Sequence, residues 1–187
     1  MSTRVRSQRL PCLGLAGLVA IMLMGSLQAL TLNELLSDPK LTPKKFADQF
    51  EEFTYEFIGY VQDPEVFLRT KNGDCDDYAI LAAHVLAKKE LTPRLIHVRM
   101  VGRVAHAVCY IVEDRAYLDY NNRRYSFNLQ RSGPSIREIA SKVARSLESN
   151  WTSATEFTYD YKTEVKNALF TVVKTEPPGN DPDRGRY

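Results

Sequence analysis

Cys75 lies at the predicted start of an apolar helix, a position that suits a nucleophilic thiol. Gly73 and Asp74 precede it, and Asp74 is a good N-cap residue that forms a near-variant of a capping box with Asp77. The free N–H groups and the dipole of a helix N-terminus stabilise a thiolate. The same N–H groups, including that of Cys75, could bind the oxyanion that forms when a thiolate attacks a carbonyl group.

The aspartates around Cys75 oppose this ionisation. Asp74, Asp76 and Asp77 are negative, and a thiolate beside them would be a fourth negative charge. A positively charged partner is therefore needed. Histidine supplies such a charge near neutral pH, and the chain contains three histidines.

His106 is the favoured partner. His84 is nine residues after Cys75 on the same predicted helix, which places it about 180° around the axis and about 13 Å further along. His97 lies in an earlier predicted strand, whereas His106 lies in the next strand between two alanines that leave space around its ring. We therefore predict that His106 is the general base.

Asp119 is the first candidate to orient the imidazole of His106, and Asn121 is the alternative. Both residues follow in the next predicted strand, and side chains two residues apart share a face. A loop of residues 113–114 or 112–115 places His106 opposite Asn121, with Asp119 as a diagonal neighbour about 7 Å away between backbones. A loop with an odd number of residues would turn both candidates away from His106.

Cys109 offers an alternative role for Cys75, that of a disulfide partner. Exported proteins form disulfides, and removal of an N-terminal leader would leave these two cysteines alone. Cys109 is three residues after His106, so strand alternation predicts that it faces away from a Cys75 that His106 faces. We expect an inert buried thiol at Cys109, with a disulfide or an unreactive Cys75 as the alternatives.

Residues 1–29 are predicted to be a secretory signal peptide. Three arginines precede an apolar run over 13–24, and small or polar residues follow at 25–29. The run is shorter than the roughly 20 residues that a membrane-spanning helix needs. We therefore expect cleavage, a periplasmic or extracellular location and no stable membrane insertion afterwards, with an uncleaved membrane anchor as the alternative.

The composition is typical of a globular domain. Hydrophobic residues make up 44% and charged residues 26% of the 187 residues, which argues against wholesale disorder. The net charge of +2 becomes −1 without the three arginines of the leader, so no basic patch indicates nucleic acid. We predict one domain over 30–175 with its core at about 43–130, and a disordered tail rich in proline and glycine over 176–187.

The predicted helices come mostly before the strands, which indicates an α+β fold with a central buried helix packed on an antiparallel sheet. Apolar residues at three- to four-residue spacing predict a helix over 43–58; they are Phe46, Phe50, Phe53, Phe57 and Ile58. The other predicted elements are helices at 32–36, 64–70 and 136–147, the helix that begins at Cys75, and strands at 94–100, 104–112, 116–120, 125–127, 155–161 and 169–175.

The order of Cys, His and Asp in a helix followed by a hairpin resembles the transglutaminase-like superfamily. The matching segments are Gly-Asp-Cys-Asp-Asp-Tyr-Ala at 73–79, His-Ala-Val at 106–108 and Leu-Asp at 118–119. The lead-in Val-Gln-Asp-Pro-Glu at 61–65 is similar too. Bacterial transglutaminase-like cysteine peptidases, which resemble papain in fold, are the most similar subset, and the resemblance covers about 55–125.

This resemblance implies roles for individual residues. Cys75 would be the nucleophile, His106 the base and Asp119 the orienting acid. Gln62 would be a candidate donor to the oxyanion, because the papain-like pattern has a donor upstream of the cysteine.

The resemblance also bears on cofactors. No cofactor is expected, but some bacterial relatives bind calcium through acids that flank the nucleophile. Asp74, Asp76 and Asp77 are similar to those acids, whereas Asn72 stands where another acid is expected.

We therefore expect an exported thiol enzyme that hydrolyses amide bonds of a protein or peptide through an acyl-thioester. An amine in place of water would make it a protein transglutaminase. A non-catalytic module that binds peptide or cell-wall material is the alternative without catalysis, and a disulfide-stabilised structural protein is another. No pattern in the sequence indicates an oligomeric state.

Overall fold

The computed structural model describes residues 30–122 and 129–175. The predicted signal peptide (1–29), the predicted strand at 125–127 and the predicted tail (176–187) lie outside the described residues. Within the described ranges, no helix is long and apolar enough to cross a membrane.

Most of the described helices precede the strands of the main sheet along the chain. The helices are α1 (Leu32–Ser37), α2 (Pro43–Asp48), α3 (Pro64–Thr70), α4 (Cys75–Ala87) and α5 (Ile136–Ser146). The strands are β1 (Thr54–Tyr55), β2 (Asn72–Gly73), β3 (Pro93–Met100), β4 (Arg103–Ile111), β5 (Ala116–Leu118), β6 (Leu129–Arg131), β7 (Trp151–Asp160) and β8 (Val165–Val173), and a 3-10 turn over Tyr120–Asn122 follows β5.

Among the described residues, six strands form an antiparallel sheet in the order β6-β5-β4-β3-β7-β8, and β1 pairs with β2 in parallel. Alternate residues of the sheet enter two apolar clusters. Leu95 packs in the cluster that contains α4, and Ile96 packs in the cluster that contains α5. The predicted α+β fold, with an antiparallel sheet and packed helices, is confirmed.

Helix α4 is the central buried helix. Most of its side chains are buried, as its almost continuous apolar sequence predicts. An aromatic cluster surrounds its first half, with ring centroids 4.6 to 6.1 Å apart. Its members are Phe46, Phe50, Phe53, Phe67, Tyr78 and Tyr120.

The predicted helix over 43–58 is wrong beyond Asp48. Successive turns follow α2, in which the N–H of Phe50 bonds to the carbonyl of Ala47 and the N–H of Phe53 to that of Phe50. These turns keep both phenylalanines buried, while Phe57 is 64% exposed. The helix-like spacing therefore comes from turns that pack on one cluster, and it does not continue into β1.

Gly73 makes a close approach to α4 just before the helix begins. A Cβ atom at this position would lie 2.6 Å from Oδ2 of Asp77 and 2.7 Å from the ring of Phe67. Both neighbours are buried, so neither has free space into which to move. Glycine is required here because β2 passes directly against these two side chains.

We predict that Gly73→Ala lowers the free energy of unfolding by about 1–3 kcal/mol, the range typical of overpacking. Gly59→Ala is the matched control, because nothing lies within 4 Å of its added Cβ. It should change stability by less than about 0.5 kcal/mol. Urea unfolding followed by circular dichroism measures both, and equal losses would contradict the packing role of Gly73.

Candidate active site

Two carboxylates hold the N-terminus of α4 in a complete capping box. Oδ1 of Asp74 accepts the N–H groups of Asp76 at 2.9 Å and Asp77 at 3.4 Å, and Oδ2 of Asp77 accepts the N–H of Asp74 at 3.0 Å. Cys75 is the first residue of the helix, as predicted. Within the described parts of the chain, no hydrogen bond engages the N–H of Cys75.

Gln62 binds this cap and not the candidate oxyanion position. Its backbone N–H donates to Oδ1 of Asp77 at 2.7 Å, and its side-chain Nε2 donates to Oδ2 of Asp77 and to the carbonyl oxygen of Asn72, both at 2.9 Å. Two acceptors therefore engage the two hydrogens of the side-chain amide. The expectation that Gln62 donates to an oxyanion is wrong, because its amide is committed to the cap.

The hairpin of β4 and β5 brings His106 and Asp119 together. The loop between the strands is residues 112–115, and Cys109 pairs with Leu118. That register, continued, places His106 opposite Asn121, as the even loop predicts. Nε2 of His106 lies 2.8 Å from Oδ1 of Asp119. The backbone N–H of Asn121 donates to the same oxygen at 2.9 Å.

The surroundings of His106 raise the affinity of its imidazole for a proton. Burial lowers the pKa of His106, but the charge of Asp119, its hydrogen bond and a hydrogen bond with Cys75 together hold that pKa well above its ordinary value. Since Asp119 engages Nε2, Nδ1 is the ring nitrogen left for the thiol. The arrangement supplies the positive partner that the aspartates around Cys75 make necessary.

The other two histidines lie at different places in the fold. His84 packs edge-on against Tyr161, with ring centroids 5.4 Å apart, and it does not join His106. His97 borders the site, and the centroid of its ring lies 6.2 Å from that of Phe157. Burial lowers the pKa of His97, while the charge of Asp76 raises it and that of His106 lowers it.

Cys75 and Cys109 are both buried free thiols. Cys109 packs in the apolar cluster that contains α4 and Cys75, so the prediction that it faces away from them is wrong. His106 nevertheless hydrogen-bonds with Cys75, which lies at the N-terminus of α4. Burial strongly raises the pKa of the Cys109 thiol, which makes this cysteine inert, as expected.

Asp74 and Asp76 are the residues that could hold a cation beside Cys75, because their carboxylates and the thiol place one atom each within 4.8 Å of one another. Oδ2 of Asp76 binds Nζ of Lys166 at 2.7 Å, while Oδ1 of Asp76 is buried without a hydrogen-bond partner among the described residues. Asp77 is committed to the cap. Calcium takes about six to eight oxygen ligands, so these two carboxylates alone do not complete a calcium site.

Two further residues at the site, Tyr55 and Lys166, carry no signal in the sequence. Lys166 comes from β8, far along the chain. Tyr55 lies in β1, a strand of two residues inside the range predicted as a helix. Burial and then the charge of Cys75 raise the pKa of Tyr55 to about 12, which places this side chain in the electrostatic surroundings of Cys75.

A family model described as a transglutaminase-like domain matches residues 37–131, just over half of the chain. The chain belongs to this transglutaminase-like family. The part that matches the transglutaminase-like domain contains Cys75, His106 and Asp119, and it ends before α5, β7 and β8. Lys166 therefore reaches the site from outside the matched range.

The chain is also similar to solved structures of LapG from Legionella pneumophila. The alignment with one of them has 17% sequence identity, covers 66% of this chain and 68% of the LapG chain, and has a TM-score of 0.44. A calcium-bound LapG gives the same values. An EGTA-treated LapG is 15% identical, with coverage of 73% and 76% and a TM-score of 0.44. No match was found among curated proteins.

We predict that Asp119→Asn lowers the pKa of His106, because it removes the negative charge and leaves the burial, which lowers the pKa. Histidine ring resonances followed by NMR during a pH titration measure this shift. Asn121→Ala is the control, since the contact of Asn121 with Asp119 is made by its backbone. An unchanged His106 pKa in Asp119→Asn would show that the carboxylate does not set it.

The same variant should change the pH dependence of stability. A histidine pKa that folding raises stabilises the protein fully below its unfolded pKa of about 6.5, and this stabilisation is lost as pH rises through the folded pKa. The difference in free energy of unfolding between wild type and Asp119→Asn should therefore become smaller as pH rises from about 6.5 through the folded pKa of His106. Urea unfolding on both sides of it is the measurement.

Proposed function

We propose that this protein is a thiol-dependent hydrolase of amide bonds, a cysteine peptidase or amidase that acts on a protein or peptide. The contact series from Cys75 through His106 to Asp119 carries the proposal. It joins a thiol at the first residue of a buried helix, an imidazole against that thiol, and a carboxylate 2.8 Å from Nε2 of the imidazole. Membership of the transglutaminase-like family supports thiol chemistry at this site.

The first half of the reaction forms an acyl-thioester. His106 takes the proton of Cys75, and the sulfur attacks the carbonyl carbon of the substrate. The electrons of the carbonyl double bond move to its oxygen, towards which the N–H of Cys75 can donate. The tetrahedral intermediate then collapses, the C–N bond breaks, and the imidazolium of His106 gives its proton to the leaving amine.

The second half releases the acyl group to water. His106 takes a proton from water, the resulting hydroxide attacks the thioester, and Cys75 leaves as a thiolate. Asp119 holds the ring in the productive tautomer and stabilises the imidazolium. These steps use the side chains of Cys75, His106 and Asp119 and the backbone N–H of Cys75. Water is the acceptor because it is always available.

The proposal includes export to the periplasm or the cell exterior, and for this it rests on the sequence of residues 1–29. An uncleaved leader would instead anchor the protein to the membrane. Mass spectrometry of the protein from its native host tests the point. A chain that still begins at Met1 in the membrane fraction would contradict cleavage.

We predict that iodoacetamide alkylates Cys75 rapidly below about pH 7, and that His106→Ala slows this reaction at least about tenfold because the thiolate loses its cation. Cys109 should stay unlabelled, since it is fully buried. Peptide mass spectrometry after timed exposure between about pH 5 and 9 follows each cysteine separately.

His84→Ala is the matched control, because it removes a histidine that packs against Tyr161 and leaves the His106 contact in place. It should alkylate at the wild-type rate. Equal rates in His106→Ala and wild type would indicate an inert thiol. Failure to label either cysteine until a reductant is added would indicate a disulfide and end the proposal.

A further inference from the structure

We propose that the hydroxyl group of Tyr55 is the second donor of the oxyanion hole, beside the N–H of Cys75. The inference rests on the proposed function, because it concerns the oxygen that becomes negative when Cys75 attacks a carbonyl. Oxyanion holes in acyl transfer combine preorganised donors from the backbone and side chains. Gln62 is committed to the helix cap, so the second donor must come from elsewhere.

The backbone fixes Tyr55 beside the segment that leads into the nucleophile. Tyr55 pairs with Gly73 in the parallel β1–β2 ladder, and the N–H of Glu56 donates to the carbonyl of Gly73 at 2.9 Å. Neighbouring strands lie about 4.8 Å apart. Cys75 follows Gly73 by two residues, so a tyrosine side chain from this position can reach the thiol.

The ring of Tyr55 rests on a rigid support. Its centroid lies 5.9 Å from that of Tyr120, which is fully buried and donates its hydroxyl to the carbonyl of Thr54 at 2.9 Å. Tyr120 directly follows Asp119 in the chain. The phenol is therefore held between the residues that precede the nucleophile and the residue that follows the orienting acid.

The surroundings of the hydroxyl suit a donor that keeps its proton. Burial and the charges of Cys75, Asp74 and Asp76 raise the pKa of Tyr55 to about 12, so the group stays neutral at the pH at which cells work. No hydrogen bond from this hydroxyl is found within residues 30–122 and 129–175, so its donor is unused there. The side chain is 42% exposed, which leaves room for a substrate carbonyl.

The role follows from the movement of electrons during attack. As the Cys75 sulfur bonds to the carbonyl carbon, the π electrons move onto oxygen, and the Tyr55 O–H donates a hydrogen bond to that oxygen without giving up its proton. Alkylation by iodoacetamide has no such requirement, because sulfur displaces iodide from a saturated carbon. A reaction with an oxyanion and a reaction without one therefore separate this role from a general effect on the thiol.

The test compares Tyr55→Phe with the wild-type protein on two probes. With p-nitrophenyl acetate, the burst of p-nitrophenolate that accompanies acylation of Cys75 should slow about 100-fold, the lower end for loss of one oxyanion-hole donor. With iodoacetamide, the alkylation rate of Cys75 should not change. Tyr60→Phe is the matched control: it makes the same chemical change at a side chain that is 71% exposed, and both rates should stay at wild-type values.

Each outcome has one meaning. An unchanged burst rate in Tyr55→Phe overturns the role of Tyr55 and leaves the proposed function standing. An equal loss of both rates also overturns it, because the effect would then be on the thiol or on folding. If wild-type protein shows no burst above that of Cys75→Ala, the proposed function falls, and the role of Tyr55 falls with it.

Discussion

Asp77 accepts three hydrogen bonds at the start of α4, two from Gln62 and one from the N–H of Asp74. This buried carboxylate fixes the first turn of the helix, and the helix in turn sets where Cys75 lies. Gly73 lacks a side chain because β2 passes directly against Asp77. The position of Cys75, the β1–β2 pair and the loop that carries Gln62 all depend on this one buried acceptor.

The same carboxylates impose an electrostatic constraint on the site. Burial and the nearby charge of Asp77 raise the pKa of Asp74, even though hydrogen bonds from the backbone N–H groups of Ile58 and Asp76 act to lower it. Three aspartates around one thiol would oppose a thiolate. Two basic groups lie against this negative charge. Lys166 binds Asp76, and His106, whose pKa is, in spite of burial, held well above its ordinary value by Asp119 and Cys75, contacts Cys75. The negative charges at the start of α4 are therefore offset by basic groups from the hairpin, His106, and from β8, Lys166.

Local rules were sufficient for several parts of the site. The sequence Asp-Cys-Asp-Asp predicts the capping box, because a helix N-terminus involves residues that are adjacent in the chain. Helical geometry excludes His84 as the partner of Cys75. Strand alternation predicts that His106 and Asp119 meet if the hairpin loop is even, and the loop over 112–115 meets that condition. Helix-like periodicity failed after Asp48, because turns that pack on one aromatic cluster repeat at the same spacing as a helix.

The sequence by itself determined the thiol and its cap, since both depend on spacing at the start of one helix. It offered His106 and Asp119 on one hairpin but left the length of the hairpin loop open, and the structure supplied the even loop that brings them together. Only the tertiary structure decided that Gln62 serves the cap, that Cys109 packs in the α4 cluster, and that Tyr55 and Lys166 lie beside the start of α4. Those contacts join segments far apart in the chain. Which of them form depends on how α4, the sheet and the β1–β2 pair pack together, a choice that no local pattern encodes.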